Sequence, residues 1–256
     1  MKAKTISILC QKGGTGKTST AAALCNALTY KGYKVLAVDA NAQRNLSQCF
    51  NADNTEVGVT DVLLTPAQIR QAITHTPQGD ILAGGKELAN IDILQEKAGT
   101  DSKYTALKEG LSIISKDYDY CIIDTPPYVS TLWLNCVFAS DYYVIAAEAD
   151  AFSLTGTEDV IENITDLKQS HKTLKAAGIL ITRFTGRATL SRQLLEVFDE
   201  PAKRIGTTVF STPIREGVAV KEAHIMRQSL YEYAPKSNPA LDYMTFTDEL
   251  LARISK

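Results

Sequence analysis

The 256-residue sequence predicts an α/β fold, a mostly parallel twisted sheet with helices on both faces. Three observations carry this. Short apolar runs recur along the chain and alternate with stretches of helical spacing. A glycine-rich segment, 11–19, stands between the first apolar run and the first alanine-rich stretch. A later apolar run, Cys121-Ile122-Ile123, delivers Asp124 to its end, where Thr125-Pro126-Pro127 stops it.

Taken in order, Thr5-Ile6-Ser7-Ile8-Leu9-Cys10 reads as a buried strand and 21–28 as a helix. Lys34-Val35-Leu36-Ala37-Val38-Asp39 is a second strand, and 40–47 a loop. Residues 60–64 and 66–73 read as short helices, and 80–85 as a strand and turn. The stretch 105–116 has helical spacing, with Leu107, Leu111 and Ile114 on one side. Residues 118–124 are a strand, 142–147 another, and 154–169 a helix. Then come a strand at 177–182, a helix at 190–198, a short strand at 207–210 and a closing helix at 241–254. No linker, low-complexity tract or internal repeat interrupts this, so 1–256 reads as a single domain.

Composition excludes several classes. No apolar run approaches the ~18 residues of a membrane span. The N-terminal apolar run breaks at Gln11, too short for a secretory core, so a cytoplasmic location is expected. Five scattered cysteines form no C-x-x-C pair and have no metal spacing; they read as small core residues. His75, His171 and His224 stand alone and read as satisfied or surface histidines. Net charge is −2, but residues 168–236 carry 12 Lys+Arg against 6 Asp+Glu, which is +6 and leaves −8 for the rest. A basic C-terminal third suggests a face for a polyanion.

The chemistry begins at Gln11-Lys12-Gly13-Gly14-Thr15-Gly16-Lys17-Thr18-Ser19. Strand, glycine loop and helix make a phosphate-binding context. Gly13, Gly14 and Gly16 allow a tight turn and bare N–H groups against a polyphosphate. The following helix presents its positive end to the same anion. Lys17 would reach the β- and γ-phosphates, and the Thr18 hydroxyl would ligate Mg²⁺. Asp124, about 105 residues later, fits the Walker B pattern, a carboxylate that holds the metal's water shell.

The first glycine of the usual loop is replaced by Gln11, and Lys12 precedes Gly13-Gly14. This K-G-G-x-G-K-[ST] form is the deviant Walker A loop, and here the sequence resembles the ParA/MinD family of P-loop ATPases. The resemblance covers nearly the whole chain, through Asp124-Thr125-Pro126-Pro127, Phe152-Ser153-Leu154-Thr155-Gly156 and Ser229-Leu230-Tyr231-Glu232-Tyr233. It implies an ATPase using ATP and Mg²⁺, with ATP contacts from Lys12 through Ser19. It implies metal contacts from Thr18, Asp39 and Asp124, and adenine contacts near Thr182, Arg183, Pro213 and Arg215. The family's usual asparagine for adenine is absent at Thr182. Lys12 would reach across a homodimer to the partner's nucleotide, so dimerisation and ATP binding favour each other.

One departure concerns catalysis. Relatives read Asp-x-Asp-Pro-Gln where this chain has Asp39-Ala40-Asn41-Ala42-Gln43. Asn41 replaces the acid that positions or deprotonates water, and an amide cannot take a proton at neutral pH. Slow hydrolysis is expected, either natural to the chain or from a blocking substitution; the alternative is that a neighbouring group does the job and Asn41 is tolerated. The resemblance further implies partition of DNA: an ATP-dependent dimer that binds DNA non-specifically and is released when a ParB-like centromere-binding protein stimulates hydrolysis, with nucleoid association. Candidate DNA contacts are Arg183, Arg187, Arg192, Lys203, Arg204, Arg215, Lys221, Arg227 and Lys236. The sequence begins shortly before its first strand, so no N-terminal helix-turn-helix domain is expected. The alternative is a MinD-like, cargo-positioning ATPase on a membrane or protein assembly. That needs a basic amphipathic tail, and the tail here sets Asp242, Asp248 and Glu249 against Arg253 and Lys256. A metabolic ATP-dependent enzyme would need a second catalytic cluster, and the sequence displays none.

Overall fold

The structure is a computed structural model describing residues 2–99, 102–148, 150–167, 169–185 and 196–255. Seven strands form one sheet in the order β3-β4-β2-β5-β1-β6-β7. They are β1 (Lys4–Leu9), β2 (Val35–Asp39), β3 (Ile73–Thr76), β4 (Gly79–Leu82), β5 (Tyr120–Asp124), β6 (Tyr142–Glu148) and β7 (Lys175–Thr182). Every pairing is parallel except β3 with β4 at one edge. That edge pair is a hairpin turned by Pro77-Gln78 and Gly79, and β3 was not expected from sequence: Ile73 closes one short helical stretch in the pattern and begins a strand in the fold.

The central strands read as unbroken apolar runs because both faces are covered. Along β1 and β2, Ile6, Ile8 and Ala37 face α1 (Lys17–Tyr30) and α12 (Asn238–Ile254). The alternate residues Leu36, Val38, Cys121 and Ile123 face α3 (Val59–Leu64), α6 (Ala106–Ile113) and α7 (Thr131–Ala139). A third apolar cluster joins Leu9, Tyr143 and Ile145 to α8 (Ala151–Leu167) and α9 (Asp199–Arg204). The remaining helices are α2 (Asn45–Cys49), α4 (Ile69–Ala72), α5 (Ile91–Ala98), α10 (Val218–Ile225) and α11 (Leu230–Tyr233). Each fully buried Leu or Ile in these layers contributes roughly 1.5–3 kcal/mol.

Several boundaries differ from the sequence pattern. The loop expected over 40–47 becomes helical from Asn45, because Asp39 captures the Ser47 amide and hydroxyl and winds the chain into α2. The strand expected at 207–210 is a single bridge, Val209 beside Ile179, with the Phe210 amide on the Ile179 carbonyl at 2.9 Å. The helix expected at 190–198 falls largely outside the described residues. Helices α5, α7, α9, α10 and α11 are additions to the expected set.

What matters for function is where β1 lies. It pairs with β5 on one side and β6 on the other, while the chain leaves it through α1 to reach β2 beyond β5. The crevice at the carboxyl ends of β1, β5 and β2 is where ligands bind in such sheets.

Candidate nucleotide site

The glycine loop rises from the end of β1 and feeds α1. Gly14 and Gly16 sit at φ 83° and 79°, a left-handed backbone that residues with a Cβ rarely adopt. Gly16 precedes the first turn of α1, which contains no acidic residue. The unpaired amides and positive end of a 14-residue helix therefore face the cleft without a competing carboxylate. Lys17 is 8% exposed, and its ammonium donates to the Lys12 carbonyl at 3.3 Å, folded over the loop it serves.

The ends of three strands bring the acids together. In register, Asp39 pairs with Asp124 across β2 and β5, and Ile8 of β1 pairs with Asp124. Both carboxylates are completely buried. Thr18 donates to Asp124 Oδ2 at 2.6 Å. Ser47 donates its amide and hydroxyl to Asp39 Oδ2, each at 2.7 Å, and the Gly84 amide fixes that hydroxyl at 2.9 Å. A Cβ on Gly84 would lie 2.6 Å from the Asn41 carbonyl oxygen, so only glycine lets β4 support this loop.

The second oxygens of the pair, Asp39 Oδ1 and Asp124 Oδ1, are buried without a hydrogen-bond partner. Burial raises both pKa values above the ordinary carboxylate range, and the charge of Asp39 raises Asp124 further. Two buried acids with unmet acceptor oxygens, beside a threonine hydroxyl, fit a hard divalent cation and its water shell. Among the described residues, no cluster of three His, Cys, Asp or Glu could hold a metal ion by side chains of those types alone.

The cleft above the loop has a volume of about 400 Å³. Gly13 through Ser19 form its floor; Asn41, Gln43, Asn45 and Gln48 line one wall, with Pro127 and His224. Asn41, the residue expected at the water site, is part of this lining. Its Oδ1 accepts the Gln43 amide at 3.0 Å, closing a turn within its own loop. A second cavity of about 260 Å³ continues past Gly14, Gly16 and Ser19 and is lined by Thr182, Arg183, Ile214 and Arg215. Thr182 is buried and spends its hydroxyl on the Thr15 carbonyl at 2.7 Å, bracing the loop. Pro213 is not part of this lining; its neighbour Ile214 is.

Lys12 lies to the side. Its ammonium meets Asp150 at 2.9 Å and Ser153 at 3.4 Å. Burial would raise the Asp150 pKa, yet the bonds from Lys12 and Ser153 hold it below the usual value. Asp150 was invisible as a site residue in sequence, because 138 positions separate it from Lys12. Ser47 was missed for a similar reason, as a serine eight residues past Asp39 carries no signal by itself.

The basic candidates separate into two kinds. Arg183 bonds Glu148 at 2.8 Å and Glu216 at 3.1 Å; Arg215 bonds Asp242 at 2.6 Å; Arg227 bonds Asp53 at 2.8 Å; Arg204 is paired with Glu158. Lys203, Lys221 and Lys236 are exposed and have no ion-pair partner among the described residues. Arg187 and Arg192 lie outside the described residues.

Comparison with known proteins places this geometry. Residues 3–176 match the sequence family described as an AAA domain. The Bacillus subtilis sporulation initiation inhibitor protein Soj is 32% identical over 255 residues, covering 97% of this chain and 98% of that protein. The Thermus thermophilus chromosome-partitioning ATPase Soj is 30% identical over 257 residues, covering 100% of this chain and 98% of its own. Among solved structures, a Mycobacterium smegmatis cobyrinic acid a,c-diamide synthase with bound ADP and magnesium superposes at TM-score 0.84, with 28% identity over 99% of this chain and 96% of that one. Pyrococcus horikoshii MinD complexed with Mg-ADP superposes at 0.78, with 25% identity over 99% of each chain. A deviant glycine loop, two buried strand-end acids and this full-length likeness together mean that the chain belongs to the ParA/Soj-type partition ATPases of the ParA/MinD P-loop family.

Proposed function

We propose that the protein is an ATP-gated partition ATPase, binding Mg-ATP in the crevice, dimerising around it, and holding DNA non-specifically until a ParB-like partner stimulates hydrolysis. The observation that carries the reading is the pair of unmet oxygens on Asp39 and Asp124 beside a loop built for phosphate, in a chain 32% identical to Soj. Loop amides and Lys17 neutralise the triphosphate tail. Thr18, Asp39 and Asp124 hold Mg²⁺ through hydroxyl and water shell, and the bound metal supplies charge stabilisation at the phosphates. Lys12 leaves Asp150 to reach the partner's nucleotide. Asn41 keeps unassisted turnover low. The whole of 1–256 acts as one domain around this site.

A membrane-cycling role is disfavoured by α12. Its apolar residues Tyr243, Phe246, Leu250 and Ile254 are buried against the core, and Leu241 is its one strongly exposed large apolar side chain among the described residues. Among the described residues, no helix is long and apolar enough to cross a membrane. The deciding experiment is cosedimentation with DNA and, separately, with anionic vesicles, each with ATP or ADP. ATP-dependent binding to DNA of any sequence, with a log–log salt slope near −0.9 per phosphate contact, is expected. Vesicle binding without DNA binding would overturn the partition reading.

A further inference from the structure

We infer that His224 supplies the proton-accepting side chain that Asn41 cannot, and so acts as a catalytic residue in the nucleotide cleft. The inference rests on the ATPase reading above. The cleft wall contains no carboxylate; the titratable side chains lining it are Lys17, Cys49 and His224. Lys17 is a cation committed to phosphate and to the Lys12 carbonyl. Burial pushes the Cys49 thiol up to about 12, which keeps it protonated. Asp39 and Asp124 lie behind the wall, wholly buried and turned to Thr18 and Ser47. The Asn41 side-chain oxygen is already occupied by the Gln43 amide.

The three histidines differ in a telling way. His75 is bonded to Asp80 at 2.6 Å, and His171 to the Ser140 carbonyl at 2.9 Å. Only the His224 imidazole, among the described residues, has neither nitrogen engaged while it lines a cleft. It projects from α10 into the angle between Ser19 and Ala22 of α1 and Cys49 and Phe50 at the end of α2. Burial lowers its pKa below the usual 6.5, so the ring is neutral and able to accept a proton near pH 7. The titratable groups that share a cavity lining with it are Lys17 from α1 and Cys49 from α2; Lys221, Glu222 and Arg227 are its neighbours in sequence, and Arg227 is paired with Asp53. None of these shifts it; burial alone does.

In the step, the oxygen of water bonds to the γ-phosphorus while the bond from that phosphorus to the β–γ bridging oxygen breaks. The electron pair of the broken bond stays on the bridging oxygen, which leaves as part of ADP. The proton of the water passes to His224 and from there to solvent, giving ADP and phosphate. General-base help of this kind is typically worth 10²–10⁴-fold.

The test is single-turnover hydrolysis of Mg-ATP across pH 5.5–8.5, roughly one unit or more to each side of an ordinary imidazole pKa. It compares the native protein with His224→Gln, His224→Asn, Asn41→Asp and the double variant Asn41→Asp/His224→Gln. Binding of a fluorescent ATP analogue is measured in the same samples. The native rate should fall on the acid side. His224→Gln should slow it by about 10²-fold and flatten the profile, and His224→Asn should do the same. With Asn41→Asp present, the cost of His224→Gln should shrink, because a carboxylate shares the task. An unchanged rate and profile in the histidine variants overturns the inference, and so does an equal loss in both backgrounds, which marks a packing role. Failure of the native protein to bind Mg-ATP at all overturns the ATPase reading itself, a result separable from either.

Discussion

The phosphate half of the site and the basic C-terminal third solve opposite problems. Around the glycine loop, the groups are backbone amides and buried side chains held by adjacent strands: Asp39 and Asp124 are in register on β2 and β5, with Thr18 2.6 Å from the latter. The arrangement is preformed, with the second oxygen of each acid buried and without a hydrogen-bond partner. Between Arg183 and Lys236 the side chains sit on short helices and irregular segments, and four of the arginines are already paired with acids of this chain. The difference teaches that net charge is a poor map of a polyanion surface. A +6 stretch loses much of its positive field once Glu148, Glu158, Asp53 and Asp242 fold against it.

The sharpest break in this comparison is Lys17→Ala. It removes the one cation lining this cleft among the described residues, and nucleotide binding measured by titration calorimetry should fall below detection. An affinity like that of the native protein would mean the loop does not bind phosphate. Lys12→Ala is the next largest effect and tests the boundary between the halves. Nucleotide should still bind, while the ATP-dependent dimer seen by light scattering should weaken. Losing the partly exposed Lys12–Asp150 pair should itself cost only about 0–1 kcal/mol of monomer stability.

The buried acids allow a third test. Asp39 and Asp124 have folded pKa values raised by burial, so the folded protein holds more protons than the unfolded chain near neutral pH. Stability without nucleotide should therefore be greatest in mild acid and decline as pH rises through neutrality. Mg-ADP should reverse much of that decline, because the metal takes up the charge. Thermal melting at pH 6 and pH 8, with and without Mg-ADP, checks both signs. A melting temperature rising with pH in the free protein would contradict the burial of an unneutralised pair.

The smallest effects belong to the basic region. Replacing Lys203, Lys221 and Lys236 together by Gln should weaken DNA binding evenly across sequences and reduce the salt slope by about 0.9 for each lysine that touches phosphate. Replacing Arg204 or Arg227 singly should change it less, since each is already matched by an acid. A larger loss from those arginines than from the lysines would show that the ion pairs open on DNA.

Much of the phosphate site was legible because its chemistry is local. A strand, a glycine loop and a helix are contiguous, and the left-handed turns at Gly14 and Gly16 demand a residue without a side chain. Asp39 and Asp124 were legible as acids at the ends of apolar strands. The fold class followed from the same apolar runs, since strands buried on both faces have no polar alternation. The hairpin strand β3 was not legible. Its Ile73-Thr74-His75-Thr76 lies at a half-exposed edge, where no periodic burial marks it.

The sequence by itself therefore determined the central parallel strands and the glycine loop between β1 and α1, because each depends on residue type within a few positions, while the missing carboxylate at Asn41 was read from the family resemblance. Tertiary structure alone decided the rest. It brought Asp150 to Lys12 across 138 positions, seated Ser47 on Asp39, and set a histidine from a late helix among the residues that line the cleft with Asn41. It also matched Arg183, Arg204, Arg215 and Arg227 to acids within the chain and left Lys203, Lys221 and Lys236 exposed. The physical reason is range. Backbone conformation and strand burial are set by neighbours in sequence, whereas charge pairing, desolvation and the contents of a cleft are set by neighbours in space.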